Sequence, residues 1–232
     1  AFGRFQKYLS DFPAESLSEI IKNFHNTIWR YENEFIPAVQ ADKADRAVNC
    51  GEEIKFVMHR REDCKKFVEL IDKGELPLRV THNDTKLNNV LFDSDSDDAI
   101  CVIDLDTVMP GLALYDFGDS IRFGANSCAE DDDNYDKVEL MLDYFEAYAK
   151  GFLSEAGDAL NQCEIDNLAF SAKLMTFECG MRFLTDYLNG DTYFKTAYPE
   201  HNLVRAKNQF ALVADMERKM EQMQQIIKDI TE

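Results

Sequence analysis

The sequence predicts an α+β fold that is mainly helical, with a small β insert near the middle of the chain. Helical periodicity fills residues 32–73 and most of the chain after Pro110. Short runs of β-type residues occur only between residues 78 and 103. Because 45% of the 232 residues are hydrophobic, the chain can bury a large core as one domain, or as a domain with a small subdomain.

The first third of the chain is predicted to be mostly helical. Residues 1–12 form an amphipathic pattern with aromatic residues three or four apart, and no capping residue precedes it. We therefore expect further sequence upstream. Residues 13–31 are irregular and rich in aromatic side chains, and the helical pattern of residues 32–73 is broken near Cys50-Gly51 and Arg60-Arg61.

The pattern changes after Gly74 and Pro77, which end the helical region. Three strands are predicted, at residues 78–81, 90–92 and 99–103. Helices are then predicted at about residues 115–122, 135–155, 164–190 and 201–230. The last helix carries a stripe rich in Met, which is typical of a helix-packing surface.

The chain is strongly acidic, with 44 Asp and Glu against 25 Lys and Arg and a formal net charge of −19. This balance argues against nucleic acid or an anionic membrane as the main partner. No apolar run approaches the ~20 residues of a membrane span, and no signal peptide opens the chain. The six cysteines are scattered without a CxxC pair, as expected of reduced, buried thiols. We therefore expect a soluble, cytoplasmic protein.

The β insert contains the most informative segment, His82-Asn83-Asp84-Thr85-Lys86-Leu87-Asn88-Asn89, followed by Asp104-Leu105-Asp106 at a strand end. Phosphoryl transfer from ATP needs a carboxylate that accepts the proton of the attacking hydroxyl, and oxygen ligands that hold Mg²⁺ against the phosphates. Asp84 suits the first role, and Asn89 with Asp104 suits the second. Because Asp84 follows one strand and Asp104 ends a later one, these side chains can converge on one site.

Three neighbouring residues extend this catalytic prediction. Lys86 can neutralise charge on the transferring phosphoryl group, and His82 can brace the loop through backbone hydrogen bonds. Asp106 is a candidate second metal ligand, or holds a coordinated water. The alternative is that His82 and Asp84 cap a turn while Asp104 and Asp106 are solvated strand-end residues. The order of all these residues between apolar strands favours the catalytic interpretation.

The motif H-x-D-x-x-x-x-N followed by I-D-x-D resembles the aminoglycoside phosphotransferase and choline kinase superfamily, which shares the protein-kinase fold. Gly111 and the pair Asp116-Phe117 are similar to that family's segment after the metal-binding strand. More narrowly, residues 24–27, 82–89 and 182–195 resemble the N-acetylhexosamine 1-kinases. These enzymes phosphorylate the anomeric hydroxyl of GlcNAc or GalNAc with ATP and Mg²⁺.

The resemblance also implies that Asp84 is the catalytic base and that Asn89 and Asp104 are metal ligands. It adds residues that would bind the acceptor. Arg182 and Tyr193 would contact the sugar, since an Arg fork can donate to sugar hydroxyls and a Tyr ring can stack on a sugar face. Phe123 is a weaker candidate for the pocket wall that faces the acetamido group. The implied partners are ATP and an amino sugar.

The sequence departs from a complete kinase of this kind in its first part. No G-x-G-x-x-G loop occurs, no strand Lys can be paired with a helix Glu, and no β-type run precedes residue 78. A Walker-type loop is excluded because no Gly is followed by Lys. We therefore expect residues 1–232 to be a C-terminal catalytic lobe without its nucleotide-binding N-terminal lobe, and this fragment alone to be inactive.

The same residues fit other functions less well. A calcium-binding loop at residues 93–104 lacks Gly at the sixth position, where Asp98 stands, and Glu at the twelfth, where Asp104 stands. A polar hairpin turn explains the Asp93 to Asp98 run better. Alternatives that stay open are a kinase for choline, an aminoglycoside or homoserine, and a truncated, non-catalytic sugar-binding protein. The sequence does not indicate an oligomeric state.

Overall fold

The computed structural model describes residues 1–96 and 98–232. Over these residues the chain is mainly helical with two small antiparallel sheets, so the predicted α+β class is confirmed. The helices are α1 Phe2–Tyr8, α2 Thr27–Arg30, α3 Ile36–Ala41, α4 Gly51–Met58, α5 Lys66–Asp72, α6 Ala113–Gly124, α7 Leu142–Ala156, α8 Gln162–Asp166, α9 Leu168–Asn189 and α10 His201–Thr231. The strands are β1 Arg79–Thr81, β2 Val90–Phe92, β3 Ala99–Val102 and β4 Met109–Gly111. None of the helices in this described part of the chain combines the length and apolar character needed to cross a membrane.

Helix α9 lies at the centre of the core, packed against α6 on one side and α10 on the other. Gly118 lets α6 approach α9 closely, since a Cβ there would lie 2.5 Å from the carbonyl oxygen of Ser171. Gly180 does the same for α10, where a Cβ would lie 2.7 Å from the Phe210 ring. The Met-rich stripe of α10 faces this core. The three helices form the scaffold on which the site is built.

The β insert consists of two separate two-stranded sheets. β2 and β3 form an antiparallel hairpin, and β1 pairs with β4, with Val80 opposite Pro110. The sequence interpretation missed β4, because Pro110 and Gly111 are residues that normally weaken a strand assignment. Pro110 is tolerated because a two-stranded sheet leaves each strand with a free edge. Because β4 runs antiparallel to β1, it leads the chain to the start of α6 beside Arg79, the first residue of β1.

The turn between β2 and β3 is polar, as the sequence predicts. The amide of Asp93 donates to the carbonyl oxygen of Asp98 at 2.8 Å, which closes the turn. Strands flank it on both sides, unlike the helices of a calcium-binding EF-hand. Asp97, one of the acidic residues in this run, lies outside the described residues.

The helical region predicted to start at residue 32 begins earlier, at Thr27. Asn26 caps α2, because its side-chain oxygen accepts from the amide of Trp29 at 3.0 Å. The chain then passes through a π-helical turn at Tyr31–Phe35 into α3. Pro37 accounts for this wider turn, since proline donates no backbone hydrogen bond and its ring crowds the preceding helical turn.

Two later helices also differ from their predicted bounds. The helix predicted from residue 135 begins only at Leu142, because Leu140 forms an isolated bridge with Asn126 and its amide donates to Asp215 at 2.7 Å. The helix predicted at residues 164–190 is divided near Asn167 into α8 and α9. Long-range pairing overrides the local pattern in the first case.

The prediction that all six cysteines are buried is only partly right. All six are free thiols, but only Cys50 and Cys64 are buried, while Cys101 on β3 is exposed. Burial raises the pKa of Cys50 to about 11 and that of Cys64 to about 12. These two are therefore inert core residues.

Candidate active site

The predicted catalytic residues lie on residues 82–89, between β1 and β2, which we call the catalytic loop. Asn83 has a left-handed backbone with φ of 64°, which is uncommon for a residue other than glycine. Its side chain accepts from the Thr81 hydroxyl at 3.0 Å and donates to the carbonyl of Thr107 at 2.9 Å. An unfavourable backbone conformation persists where the surroundings fix it in this way.

Two buried aspartates of α6 hold the catalytic loop by its amides. Asp116 accepts from the amides of His82 at 3.0 Å and Asn83 at 2.8 Å, and Asp119 accepts from the amide of Thr85 at 2.9 Å. Burial raises the pKa of Asp116, against the opposing effect of these amide donors. Sequence reasoning noticed Asp116 only through a resemblance. The available signal was a pair of acids three residues apart inside a helix whose other residues, apart from Ser120 and Arg122, are apolar or glycine.

Asp84, Lys86 and Asn89 are brought together at the surface of this loop. The Lys86 ammonium and the Asn89 amide nitrogen each donate to the same Asp84 carboxylate oxygen, Oδ2, at 2.9 Å. Asn89 also donates to the Asp84 carbonyl at 2.8 Å. Asp84 Oδ1 accepts no hydrogen bond from the described residues, so one oxygen of the carboxylate stays available to a ligand.

Asp104 is positioned through the residue before it. The Ile103 amide donates to the Asn89 carbonyl at 2.9 Å, and His82 Nε2 lies 2.9 Å from the Ile103 carbonyl oxygen. His82 is fully buried and its Nδ1 accepts from the Asp84 amide at 3.3 Å. Asp104 itself has a left-handed backbone, with φ of 63°, and is exposed. Asp106 is exposed two residues later.

The donor set fits a hard cation that also binds a ligand. The side-chain nitrogen of Asn89 donates to Asp84, so its side-chain oxygen, Oδ1, is left for another partner. The Asp104 carboxylate accepts no hydrogen bond from the described residues. Oxygen ligands of this kind suit Mg²⁺, which is usually held by one or two carboxylates together with substrate phosphates. Over residues 1–96 and 98–232, no three His, Cys, Asp or Glu side chains form a self-sufficient metal site.

A cavity of about 380 Å³ opens beside Asp84. Arg182 from α9 and Tyr193 from the following turn line it, so the structure brings both predicted sugar-binding residues to the catalytic loop. The Arg182 guanidinium lies 5.1 Å from the Phe24 ring centre and 5.8 Å from that of Tyr193. No carboxylate among the described residues forms an ion pair with it. Its donors are therefore available to a ligand.

Phe123 does not belong to this group. It lies near the end of α6, is 37% exposed, and is not among the residues that line the cavity. A neighbour in α6, Arg122, reaches the cavity instead. The aromatic wall is formed by Phe24, Phe183 and Phe194, which sequence reasoning did not single out.

The acidic side chains of the cavity wall are mostly paired within the protein. Arg122 donates to Asp119 at 2.9 Å and to Glu130 at 2.6 Å. Burial raises the pKa of Asp119, but the charge and the hydrogen bond of Arg122 outweigh it, and the net pKa is lowered. Glu178 is likewise bonded to His25 and other donors. Among the described residues, Asp84 and Glu130 are the wall carboxylates that keep an oxygen without a hydrogen bond, and Glu130 is paired with Arg122 through its other oxygen.

Comparison with protein families agrees with this geometry. The model of the phosphotransferase enzyme family, APH, matches residues 2–151. The chain belongs to this family. Membership supports the kinase-like α+β fold and implies an ATP-dependent phosphotransferase with a small-molecule acceptor, as the sequence motif predicts. The matched residues of the phosphotransferase include the whole catalytic loop, Asp104 and α6, but end before Arg182 and Tyr193, the residues on which the acceptor prediction depends.

Proposed function

We propose that this phosphotransferase transfers the γ-phosphoryl group of ATP to the anomeric hydroxyl of an N-acetylhexosamine, GlcNAc or GalNAc. The observation that carries the proposal is one cavity that joins the catalytic loop to the acceptor residues: Asp84, Arg182 and Tyr193 line it together. Its volume of about 380 Å³ falls in the range of small-ligand sites, which is about 300–1,000 Å³.

In this proposal Asp84 accepts the proton of the attacking hydroxyl. Lys86 and Asn89 occupy Oδ2 of the carboxylate, which fixes its orientation and leaves Oδ1 for the acceptor. His82 supports the loop from its buried side, through its contacts with the Ile103 carbonyl and the Asp84 amide. Lys86, which lies 2.9 Å from Asp84 with its side chain 35% exposed, would neutralise charge that develops on the transferred group.

Asn89 and Asp104 would hold Mg²⁺, with Asp106 as a further oxygen ligand or the holder of a coordinated water. Bound there, Mg·ATP would supply the phosphoryl group and the cation would offset the charge of its phosphates. The backbone bond between Ile103 and Asn89 keeps the two ligand-bearing segments side by side. In the same proposal residues 1–232 are the acceptor- and metal-binding lobe of the kinase.

The cavity favours a neutral, hydroxyl-rich acceptor over a cationic one such as choline or an aminoglycoside. Of its other carboxylates, Asp119 and Glu130 are bonded to Arg122, and Glu178 is bonded to His25, so little negative charge is left to attract a cation. Arg182 adds positive charge without a carboxylate partner among the described residues. Donors of this kind bind sugar hydroxyls and the acetamido oxygen.

Calorimetric titration with GlcNAc, GalNAc, choline and kanamycin tests the acceptor, beside a turnover assay with Mg·ATP on the longest form of the protein that can be expressed. We expect binding and turnover with the N-acetylhexosamines only. Arg182→Ala should weaken sugar binding by about 10-fold or more, since hydrogen bonds from a charged donor contribute about 1.5–3 kcal/mol.

Arg218→Ala is the matched control, because Arg218 lies on α10 with its side chain 69% exposed and does not line the cavity. It should bind sugar like the wild type. Preferential binding of choline or kanamycin, or equal effects of the two Arg variants, would contradict the proposed acceptor.

A further inference from the structure

A buried ionic cluster lies on the acceptor side of the catalytic loop and is not used by the chemistry described above. Its centre is Glu178 of α9, whose side chain is 1% exposed. One carboxylate oxygen is 2.8 Å from His25 Nδ1, and the other accepts from the Thr27 hydroxyl at 2.5 Å. The Arg30 guanidinium lies 4.0 Å away. A buried carboxylate needs such partners, so the cluster ties α2 and the residue His25 before it to α9.

His25 connects this cluster to the catalytic loop. Its second ring nitrogen, Nε2, lies 3.4 Å from the carbonyl oxygen of Asn83, the residue directly before Asp84. The imidazole is held between aromatic rings, with centroid distances of 4.4 Å to Phe24 and 5.0 Å to Tyr115. Both ring nitrogens of His25 therefore face oxygen acceptors, one on α9 and one on the loop.

The backbone around Asn83 is thus held from two sides. On one side, the amides of His82 and Asn83 donate to Asp116 of α6, at 3.0 Å and 2.8 Å. The Asn83 carbonyl faces His25 on the other side. Asn83 has a left-handed backbone that its surroundings must hold in place. A change at its carbonyl would therefore alter the direction in which the Asp84 side chain points.

We propose that His25 is a positioning residue for phosphoryl transfer: held by Glu178, it fixes the Asn83–Asp84 peptide so that the Asp84 carboxylate faces the acceptor. The proposal rests on the function proposed above. The distance of 3.4 Å exceeds the usual range of about 2.7–3.2 Å, and catalytic hydrogen bonds are often this long in the absence of a ligand and tighten in the reactive complex. His25 and Glu178 both line the acceptor cavity, so the contact between His25 and Asn83 lies at the edge of that cavity.

The substitution His25→Asn separates the two contacts of the ring. An Asn amide nitrogen lies near the place of histidine Nδ1 and can still donate to Glu178, but the side chain is too short to reach the Asn83 carbonyl. We expect kcat to fall by about 10-fold or more with the acceptor KM within about 2-fold, since small displacements of a reacting group cost up to about 100-fold. His25→Gln, which reaches toward the position of Nε2, should recover part of the lost kcat.

Thr27→Val is the matched control, because it removes a bond to the same carboxylate without touching the catalytic loop. It should lower the thermal midpoint while kcat stays within about 2-fold of the wild type, since an effect on stability alone does not displace Asp84. Hydrogen exchange of the amides of residues 82–86 provides a readout that needs no turnover. Exchange there should rise in His25→Asn and stay unchanged in Thr27→Val.

The outcomes separate this inference from the proposed function. If the wild type turns over an N-acetylhexosamine but His25→Asn matches it in kcat, or Thr27→Val lowers kcat as much, the positioning role is wrong. If the wild type turns over none of the tested acceptors, the proposed function fails. The exchange data then decide the inference: faster exchange in His25→Asn alone supports His25 as the support of the loop, and equal exchange overturns it.

Discussion

At the scale of single residues, Asp84 is the group on which the proposed chemistry depends most directly. Asp84→Asn keeps the size of the side chain but removes the carboxylate that accepts the proton. Turnover should fall by about 10²–10⁴-fold, the usual contribution of a general base. Steady-state kinetics with Mg·ATP and GlcNAc, together with a thermal melt to show an intact fold, measure this.

Asp136→Asn offers a matched control, since Asp136 is exposed in the short turn before α7 and has no contact with the catalytic loop. Near-wild-type turnover in Asp84→Asn would remove the base assignment. A similar loss in both variants would point to a general electrostatic effect.

The pKa of the Glu178 carboxyl group is linked to the stability of the whole fold. Burial raises the pKa of Glu178, but the charge and hydrogen bond of His25, with Arg30 and Thr27, outweigh it, and the net pKa is lowered. A carboxyl group whose pKa is lower in the folded state stabilises the fold above its unfolded pKa of about 4.3, and this contribution is lost as the pH falls through the folded pKa.

Glu178→Gln should therefore reduce the free energy of unfolding by about 1.5–3 kcal/mol at pH 7, the usual contribution of a hydrogen bond to a charged group. The difference from the wild type should shrink as the pH falls below about 4.3 and through the lower folded-state pKa. Urea unfolding at several pH values measures it. A difference that is independent of pH would show that the ionic form of Glu178 is not what stabilises the cluster.

At the scale of elements, the catalytic loop could be predicted from sequence but its supports could not. The residues Asp84, Lys86 and Asn89 lie within six positions, so their contacts follow from local spacing. Asp116 bonds to the loop from more than 30 residues away, Glu178 is linked to it only through His25, and only the folded chain shows these partners. Local patterns identify chemistry, whereas buried charge pairs depend on tertiary packing.

The strand β4 shows the same limit for secondary structure. Met109–Gly111 has little β character of its own, and it becomes a strand because β1 offers a partner along its edge. The hairpin of β2 and β3, by contrast, is evident from its two short apolar runs and the polar turn between them. Pairing with a distant segment is the information that a sequence pattern lacks.

The contact between α6 and α9 gives a prediction at this scale. Gly118→Ala should destabilise the fold by about 1–3 kcal/mol, because its Cβ would meet the Ser171 carbonyl oxygen, part of a rigid helix backbone, at 2.5 Å. Turnover should fall as well, since α6 carries Asp116 and Asp119. Chemical unfolding and kinetics on the same sample measure both effects.

Gly151→Ala in α7 is the comparison, because no atom lies within 4 Å of the added Cβ. Alanine is the better helix former, so this change should stabilise the fold by about 0.5–1 kcal/mol. Opposite signs for the two variants would identify close helix packing as the reason for Gly118. Equal stabilisation by both would show that α6 can move away from α9 at little cost.

At the scale of the whole molecule, the N-terminal helix joins parts of the chain that the sequence treats as separate. Gln6 of α1 donates to Asp116 at 2.6 Å, and Arg4 donates to Glu155 of α7 at 3.0 Å. The rings of Phe2 and Phe5 lie edge-on to His82. The sequence predicts this helix and its apolar face, but its place behind the catalytic loop follows only from the assembled core.

The net charge of −19 makes a prediction about the entire chain. A large net charge destabilises a compact state through self-repulsion, and added salt screens it, since the Debye length falls from about 30 Å at 0.01 M to about 10 Å at 0.1 M. Exposed ion pairs such as Lys150 with Glu146 weaken in the same salt, but they act over shorter distances. We therefore expect the thermal midpoint to rise by about 2–4 °C between 10 and 300 mM NaCl, equivalent to about 1 kcal/mol for a chain of this size.

MgCl₂ at the same ionic strength separates screening from binding. An equal rise in both salts would be screening alone, whereas a larger rise in MgCl₂ that is lost in Asp104→Asn would locate a cation beside Asn89. A midpoint that falls with NaCl would mean that attractive pairs outweigh the net repulsion. In that case the acidic surface stabilises the fold through local pairs, and its excess charge has little effect on stability.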